Sequence, residues 1–408
     1  MVHVTFDGIL QPIGYAQVAR ITLGLARRGV PYRILSLERP QELEDRELVS
    51  SVRERLEGAG IAWTALPYDT AGTAPAAASN VGRLTAALLG LAARRRVSLV
   101  HARAYQAGLV ALAARRGTGM PYLLDARCYW IDERLVDGRW FGRPTVHGAA
   151  RAIERRLFRD ASGVVTLTAL QAGDLREGRF GPWTGAPIEV IPTCADYDEF
   201  RPRGQVSLDR VPAPLRQRLE GRRVIALVGS INASYHVKES IEVARQALAL
   251  APDTHLLVLG AQEALWQEKL DQAGIEPTRR TIAYAAHEDM PAFTSLMDCC
   301  VLLLAENAAK RASVPTKLAE LFASGVRPVQ FGCNTEVSRW VREAGSGMVL
   351  SSLEPGELER AARFIAEGPR DHAALERARE VTYPHFSLKT GLDRYERLLR
   401  TLLDGPKR

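Results

Sequence analysis

The sequence predicts an α/β fold with two domains, each built on a parallel sheet. Short apolar runs alternate with longer amphipathic segments along the whole chain, and this alternation is typical of parallel sheets covered by helices on both faces. The length of 408 residues suits two domains of ordinary size. A proline-rich stretch without periodicity, between Ile191 and Val224, is typical of a linker. We therefore expect domains over 1–200 and 201–385, and a C-terminal helix over 386–408 that packs back on the first domain.

In the first domain, short apolar runs predict strands and amphipathic runs predict helices. The first helix is predicted because Val18, Ile21 and Leu25 recur at helical spacing before Gly29 ends the pattern. The predicted strands are Val2–Phe6, Tyr32–Leu37, Ala62–Leu66, Ser98–Val100, Tyr122–Asp125, Gly163–Thr168 and Glu189–Ile191. The predicted helices are Tyr15–Arg28, Glu42–Glu57, Val81–Arg95, Gln106–Arg116 and Val146–Arg159, with a short helix after Thr168.

The same alternation restarts after the linker and predicts the second domain. Strands are expected over Val224–Val228, His255–Leu259, Thr281–Tyr284, Cys300–Leu304 and Pro328–Phe331. Helices are expected over Lys238–Leu250, Glu263–Ala273, Met290–Met297, Thr316–Ala323 and Leu388–Leu403, with further helices before the last. Because ligands of open α/β sheets bind at the carboxyl ends of the strands, we expect function to reside in the loops there, facing a cleft between the domains.

Several classes of protein are excluded by missing motifs. The sequence contains no GxxxxGK[ST], no GxGxxG after either first strand and no GxSxG, which disfavours P-loop enzymes, dinucleotide dehydrogenases and α/β hydrolases. The five cysteines show no metal-ligand spacing and fit a reducing cytoplasm. The N-terminal residues indicate a strand and no signal peptide, and the longest apolar stretch, Leu84–Ala93, is too short to span a membrane.

The formal net charge of +7 is mild for this length and comes almost wholly from arginine. Only six lysines occur, the first of them Lys238. Basic residues are not interleaved with aromatic ones, so nucleic acid is not an expected partner. Arginine clusters at predicted helix ends, such as Arg94–Arg96, suit an anionic lipid head group or a polyprenyl phosphate. The ordinary pairing of basic residues with helix C-termini is the alternative interpretation, and the sequence favours it slightly.

The stretch Ser313–Val329 carries the most informative motif. Pro315 suits the first turn of a helix and Ser313 suits its N-cap. The free N–H groups at such a helix start, together with the helix dipole, form an anion site. Lys317 lies in this first turn and Glu320 on the next, where a phosphate and a ribose could be held. An ordinary capped helix with a solvated lysine and glutamate is the alternative interpretation.

Pro315-Thr316-Lys317-Leu318-Ala319-Glu320, followed by Ala323-Ser324-Gly325 and Pro328-Val329, resembles the donor-binding helix of GT-B glycosyltransferases, especially the retaining enzymes of glycosyltransferase family 4. The exit from the first domain, Val190–Pro202, resembles that family's "IPNGVDxxxFxP" segment. The block Tyr284–Pro291 followed by Asp298 resembles its segment beside the nucleotide base, and Leu10–Tyr15 stands where the family has a glycine-rich loop. The resemblance covers nearly the whole chain and implies the GT-B fold, with two Rossmann-like domains facing each other across a cleft.

The resemblance also implies functional residues, with the donor bound by the second domain and the acceptor by the first. Asp125–Arg134 resembles a branch of the family with "D-x-R-G-x-W-x-x-E-R" after a first-domain strand. The implied donor-binding residues are Gly229, Ser230, Lys238, Tyr284, Ser313, Pro315, Thr316, Lys317 and Glu320. The implied acceptor-binding residues are Gly14, Tyr15, His101, Arg127, Trp130 and Glu133. Asp125, Lys238 and Glu320 are the expected catalytic residues, and no metal site is expected.

Three positions depart from the family pattern. The first glutamate of the family's E-x7-E motif is replaced by Ala312, and the arginine that usually follows Gly229 is replaced by Ser230. A histidine commonly follows the strand that here ends in Asp125-Ala126-Arg127, and none stands there. His101, at the end of the preceding predicted strand, is either a cleft residue or a hydrogen-bonded structural histidine.

The implied function is a hexosyltransferase-type glycosyltransferase that moves a sugar from a UDP-, GDP- or TDP-sugar to a hydroxyl acceptor. Retention and independence of metal are expected. No cofactor is expected either, since the nucleotide sugar is a substrate. The acceptor is expected to be a glycan, a lipid-linked molecule or a small molecule, in glycan, glycolipid or natural-product biosynthesis. A cytoplasmic location is expected, with peripheral membrane contact as a further expectation. The alternatives are a catalytically weak relative that binds a nucleotide or a partner, and a sugar-nucleotide epimerase of the same fold.

Overall fold

The computed structural model describes residues 1–94, 97–136, 143–368 and 371–404, and it divides into two compact units. One unit holds Met1–Pro192 with Gly391–Arg408, and the other holds Thr193–Thr390. The boundary falls before the expected 200/201 because the next residues pack into the second unit. The backbone N–H of Ala195 donates to Phe386 O (2.9 Å), and its carbonyl accepts from Leu388 N (2.8 Å).

The first unit is built on a parallel sheet of seven strands. Their order is β3-β2-β1-β4-β5-β6-β7, so the chain starts in the centre and proceeds first to one edge and then to the other. The strands are β1 Val2–Thr5, β2 Arg33–Glu38, β3 Ala62–Pro67, β4 Val100–Arg103, β5 Tyr122–Ala126, β6 Gly163–Thr166 and β7 Ile188–Val190. Every residue of β1, β4, β5 and β6 is buried, as expected for parallel strands covered on both faces.

Helices connect these strands. They are α1 Pro12–Gly14, α2 Arg20–Arg27, α3 Pro40–Glu44, α4 Arg46–Gly58, α5 Ala74–Arg94, α6 Ala104–Thr118, α7 Trp130–Val136, α8 Pro144–Asp160 and α9 Ala169–Arg176, with a π-helical turn at Tyr15–Ala19. The helix expected over Glu42–Glu57 is interrupted at Asp45, whose side chain accepts a hydrogen bond from Leu48 N (3.0 Å) and caps α4.

The second unit repeats this plan with six parallel strands in the order β10-β9-β8-β11-β12-β13. The strands are β8 Arg223–Val228, β9 Thr254–Leu259, β10 Arg280–Ala283, β11 Cys299–Leu303, β12 Arg327–Phe331 and β13 Met348–Val349. Its helices are α10 Ala213–Leu219, α11 Val237–Leu250, α12 Glu263–Gln272, α13 Met290–Ser295, α14 Thr316–Ala323, α15 Thr335–Ala344, α16 Pro355–Glu367 and α17 His372–Phe386. The last helix, α18 Leu388–Asp404, begins in the second unit and belongs to the first unit from Gly391 onwards.

Most expected elements are present, and the differences have local causes. Helix α10 lies within the segment expected to be a linker, where Leu215 and Leu219 are buried in the second unit's core. Strand β4 begins and ends later than the expected Ser98–Val100, which moves His101 from a strand end to a strand interior. The expected arginine cluster at 94–96 lies partly outside the described residues.

Helix α5 is the one described helix long and apolar enough to cross a membrane by length and composition. It is longer than the stretch Leu84–Ala93 because it begins at Ala74. Leu84 and Leu88 are buried. Such a helix is weak evidence for a membrane span, because core helices pass the same test.

Candidate functional site

Gly229 and Lys317 meet at the carboxyl edge of the second sheet. Gly229 follows β8, has a φ of +121° and donates its N–H to Leu259 O at the end of β9 (2.8 Å). A Cβ at this position would lie 2.8 Å from Lys317 Nζ. The backbone conformation therefore favours glycine here, and a Cβ would displace the end of the Lys317 side chain. The sequence motif had placed the two residues in one site, and the structure brings them into contact.

The ammonium group of Lys317 is held from two sides. It donates a hydrogen bond to the carbonyl of Val228, the last residue of β8, and lies 4.4 Å from the centre of the Tyr235 ring. The side chain is half-buried, and no described residue forms an ion pair with it. A partly desolvated cation without a carboxylate partner favours an anionic ligand.

Helix α14 begins at Thr316, two residues later than an N-cap at Ser313 would place it. Pro315 occupies the N-cap and provides no side-chain cap. Ser313, expected as the N-cap, instead donates its Oγ to Ala309 O (3.3 Å), because a short 3-10 helix, Ala308–Ala312, precedes it. The first N–H groups of α14 therefore donate no hydrogen bond to an N-cap side chain, which suits an anion site at a helix start.

The other expected donor-binding residues lie around the same edge. Thr316 is the first residue of α14 and is half-buried, and Glu320 lies one turn beyond Lys317 with 8% of its surface exposed. Ser230 is exposed directly after Gly229, and Lys238 is exposed in the first turn of α11. Tyr284 is 64% exposed after β10, which β9 separates from β8, so it lies at the same sheet edge but farther out.

A small pocket opens beside these residues. Its lining includes Gly229, Ser230, Tyr235, Lys317 and Trp266. The indole Nε1 of Trp266 is buried without a hydrogen-bond partner in the part of the chain that the structure describes. A Cβ added to Gly260 would lie 2.8 Å from this nitrogen. Lys317 and Trp266 thus bring a charged and a neutral N–H donor to the residues around the pocket, which suits an oxygen-rich ligand or a bound water.

Asp125, expected to be catalytic, is buried in the first unit. Only 1% of its surface is exposed, because β5 continues through it to Ala126. Its carboxylate accepts hydrogen bonds from Arg127 Nη1 (3.1 Å) and Tyr395 Oη (3.0 Å), and it lies 3.8 Å from Arg103 Nη1. Burial alone would raise the pKa of Asp125, but Arg127 and the other cationic neighbours hold it well below its usual value. Asp125 is therefore the centre of a buried charge cluster, with almost no surface for substrate contact.

The structure also changes the interpretation of His101, which was expected to bind the acceptor. It has no exposed surface, stands in the interior of β4, and its Nδ1 shares a hydrogen bond with Tyr32 Oη (3.1 Å). The adjacent imidazole of His3 is equally buried, and its pKa is lowered well below the usual value by burial and then by His101 and Arg103. The structural alternative stated for His101 is the one that fits, and it cannot contact an acceptor in this structure.

The remaining expected acceptor-binding residues are accessible in part. Arg127 is half-buried and also donates to Gln17 Oε1 (3.2 Å). Trp130 stacks on Tyr105 with ring centres 6.0 Å apart. Glu133 follows on the first turn of α7 and accepts from Cys128 Sγ (3.5 Å).

The glycine-rich loop after β1 contacts a buried carboxylate. Glu38, at the end of β2, accepts hydrogen bonds from Ile9 N (2.9 Å) and Leu10 N (3.1 Å). Gly14 is required because a Cβ there would lie 1.9 Å from Gly8 O. Burial raises the pKa of Glu38 to about 7, although its hydrogen bonds to Ser36 and the loop oppose this shift. Next to Gly14, Tyr15 Oη accepts a hydrogen bond from Arg55 Nη1 (3.0 Å).

Sequence reasoning missed Asp7, Arg103, Glu38 and Tyr235. Asp7 follows β1, is 46% exposed and is held by Arg103 Nε (2.8 Å), which ends β4. All three of the charged residues, Asp7, Glu38 and Arg103, lie at or just after the carboxyl ends of strands. Because ligands of open α/β sheets bind at those ends, exact strand limits would have made these residues candidates. No sequence signal points to Tyr235, since its role depends on a contact with a residue far along the chain.

In the described ranges, no group of three or more histidine, cysteine, aspartate or glutamate side chains could hold a metal ion.

Comparison with known proteins agrees with this architecture. Residues 15–194 match a family model described as a glycosyl transferase 4-like domain. Among curated protein sequences none matches the chain.

Solved structures with the same fold cover nearly the whole chain. Sucrose-phosphate synthase from Thermosynechococcus elongatus is similar with a TM-score of 0.73 and 15% identity, over 99% of this chain and 99% of that one. HepE from Anabaena, in complex with UDP-glucose, is similar with a TM-score of 0.67 and 15% identity, over 98% of each chain. α,α-Trehalose 6-phosphate synthase from Burkholderia multivorans gives 0.65 and 13%, over 99% of each.

The fold is thus the two-domain α/β architecture of the GT-B class. Residues 15–194 are therefore similar to a glycosyl transferase 4-like domain, and the chain as a whole shares the fold of these solved structures.

Proposed function

We propose that the chain transfers a sugar from a nucleotide-sugar donor to a hydroxyl group of an acceptor. The observation that carries the proposal is the half-buried ammonium of Lys317 beside Gly229, at the uncapped start of α14. HepE is described with UDP-glucose, so UDP-sugars are the first donors to test, followed by GDP- and TDP-sugars. Glu320, one turn further along α14, would bind ribose hydroxyls, and the exposed ring of Tyr284 would lie against the base.

The chemistry that this site would perform is stabilisation of a leaving diphosphate. Negative charge grows on the diphosphate as the bond from sugar C1 to the phosphate oxygen breaks. Lys317, Lys238 and the N–H groups of α14 would stabilise this charge, so we propose that no metal or other cofactor is needed.

We further propose retention of the anomeric configuration. The acceptor oxygen would bond to C1 on the face that the phosphate leaves, and the acceptor proton would pass to the departing phosphate oxygen. Such a front-face reaction depends on orientation more than on a strong protein base. This agrees with the burial of Asp125 and His101, which leaves neither as a base.

The acceptor is proposed to bind the first unit, at the glycine-rich loop, Tyr15, Arg127, Trp130 and Glu133. These residues combine aromatic faces with polar groups, as binding of a polyhydroxylated molecule requires. A glycan, a lipid-linked molecule and a small hydroxylated molecule all fit this chemistry. A cytoplasmic location, with contact between surface arginines and a membrane, remains part of the proposal.

The proposal is tested by incubating the purified chain with a panel of UDP-, GDP- and TDP-sugars, with and without EDTA. We expect release of a nucleoside diphosphate from at least one donor, at the same rate in EDTA, and a free sugar or product with the donor's anomeric configuration. Inhibition by EDTA would contradict metal independence, and an inverted product would contradict retention. An isomerised free sugar would instead indicate an epimerase.

Two replacements favour a second candidate, a catalytically weak relative that binds a nucleotide. Ala312 is fully buried where the family has a carboxylate, and Ser230 stands where it has an arginine. Binding of a nucleoside diphosphate without turnover of any donor in the panel would favour this candidate.

A further inference from the structure

We propose that Tyr235 is a positioning residue, whose ring holds the ammonium of Lys317 ready for the diphosphate of the donor. The inference rests on the proposed function, because it assigns a partner to the lysine of that site. The first observation is geometric. Lys317 Nζ lies 4.4 Å from the ring centre of Tyr235, within the range of a cation–π interaction.

The ring is held in place by its backbone. The segment that carries Tyr235 connects β8 to α11 and is bonded to the end of β11. His236 N donates to Leu303 O (3.0 Å), Ala305 N donates to Ser234 O (3.0 Å), and Tyr235 itself forms an antiparallel bridge with Leu304. The aromatic face is therefore fixed relative to the sheet edge on which Gly229 lies.

The charge of Lys317 needs such a partner. An ammonium group has three N–H donors, and in the described residues only Val228 O accepts a hydrogen bond from it. No carboxylate among those residues neutralises it. The ring quadrupole of Tyr235 offsets part of the desolvation cost and leaves the other two donors available to phosphate oxygens. Ser230 supplies no cation at this edge, which makes the position of Lys317 more important.

The test measures equilibrium binding of UDP, or of whichever nucleoside diphosphate the wild-type chain binds best, to single and double variants. Tyr235→Leu should weaken binding about three- to ten-fold, as loss of a cation–π contact implies. Tyr235→Phe should stay within about two-fold of wild type, since it retains the ring. In a Lys317→Met background, Tyr235→Leu should have no further effect, because the partner of the ring is already absent.

A second readout needs no ligand. With six lysines in the chain, ¹³C-methylation of the amines gives a simple NMR spectrum, in which Lys317→Arg identifies the Lys317 signal. That signal should be shifted upfield by the ring and should move to the ordinary lysine position in Tyr235→Leu but not in Tyr235→Phe.

The outcomes separate the inference from the proposed function. The inference alone is overturned if the wild-type chain binds a nucleoside diphosphate but Tyr235→Leu does not weaken that binding. It is also overturned if Tyr235→Leu lowers the affinity equally in the wild-type and Lys317→Met backgrounds. An unshifted Lys317 signal does the same. A wild-type chain that binds no nucleoside diphosphate contradicts the proposed function, and the inference about the diphosphate fails with it.

Discussion

Lys317 differs from two other lysines at the same helical position. Lys238, Lys317 and Lys389 are each the second residue of a helix, in α11, α14 and α18. Lys238 and Lys389 are exposed, whereas Lys317 is half-buried against Tyr235 and Val228. The helix start alone therefore does not define the site. The contact with the β8 edge does.

At the same scale, Asp125 illustrates a residue whose role changes once its surroundings are known. Replacing it by asparagine would remove the buried carboxylate that faces Arg127 and Arg103, although Arg103 would keep its ion pair with Asp7, so Asp125→Asn should lower the free energy of unfolding by about 3–5 kcal/mol. Urea unfolding measures this loss. Nucleotide affinity should be unchanged, because the second unit binds the donor in our account.

Asp393→Asn is the matched control for Asp125→Asn, because Asp393 pairs with Arg28 at 2.6 Å but is 54% exposed. It should change the free energy of unfolding by no more than about 1 kcal/mol. Equal effects of the two substitutions would contradict the assignment of Asp125 as the centre of a buried charge cluster.

At the scale of elements, the glycine-rich loop depends on close backbone approach. Gly14→Ala should destabilise the first unit by about 1–3 kcal/mol, since its Cβ would lie 1.9 Å from Gly8 O and the loop would have to shift. Gly90→Ala, in α5, is the control, because no atom lies within 4 Å of a Cβ added at this position. This substitution should leave the free energy of unfolding unchanged or raise it. A Gly14→Ala variant as stable as Gly90→Ala, by thermal unfolding, would show that the loop is not anchored as described.

Glu38 should make the stability of the same loop dependent on pH. Burial raises its pKa from 4.5 to about 7, with Glu42 contributing in the same direction. Between pH 4.5 and pH 7 the folded state therefore keeps a proton on Glu38 that the unfolded state has released. The contribution of Glu38 to the free energy of unfolding is fully present below pH 4.5 and is lost as the pH rises through 7. The loss amounts to about 3 kcal/mol.

Glu38→Gln removes this titration and serves as the reference. The difference in unfolding free energy, wild type minus Glu38→Gln, should fall between pH 5 and pH 8 in parallel urea titrations. A difference that is flat with pH, or that rises, would exclude Glu38 as the titrating group.

At the scale of the molecule, the last helix completes the first unit. Tyr395 of α18 donates a hydrogen bond to Asp125, and Asp393 pairs with Arg28. Leu392 packs closely on Gly24, where an added Cβ would lie 2.5 Å from Leu392 Cδ1. The N-terminal segment and the last helix thus belong to the same compact unit.

Truncation after Thr390 should therefore destabilise the first unit selectively. It would expose apolar surface around Gly24 and leave Asp125 without its tyrosine. Limited proteolysis should cut residues 1–192 faster in the truncated chain, while the second unit keeps its resistance and its nucleotide affinity. Equal protection of the first unit in both chains would contradict this assignment of α18.

The alternation of apolar runs was sufficient to predict both parallel sheets, because the strands are continuous buried segments. The site was predicted less fully. The Pro315–Glu320 motif located the helix start, but Val228 O and Tyr235 reach Lys317 only through tertiary packing. His101 was misplaced because the limits of β4 were set too early, and one or two residues decide whether a strand side chain is accessible or buried. Helix α10 is short and proline-flanked, so its periodicity was too brief to detect.

Titration of the whole chain with a nucleoside diphosphate is the direct measurement of whether Lys317 binds the donor's phosphates. Calorimetry with UDP, GDP and TDP should find one that binds the wild-type chain. Lys317→Ala should weaken that binding about 10- to 100-fold, as loss of charge-assisted hydrogen bonds implies. The matched variant Lys389→Ala, which removes an exposed lysine from the same helical position in α18, should bind like wild type. Equal affinity of Lys317→Ala and Lys389→Ala for the diphosphate would contradict the assignment of Lys317 to phosphate binding.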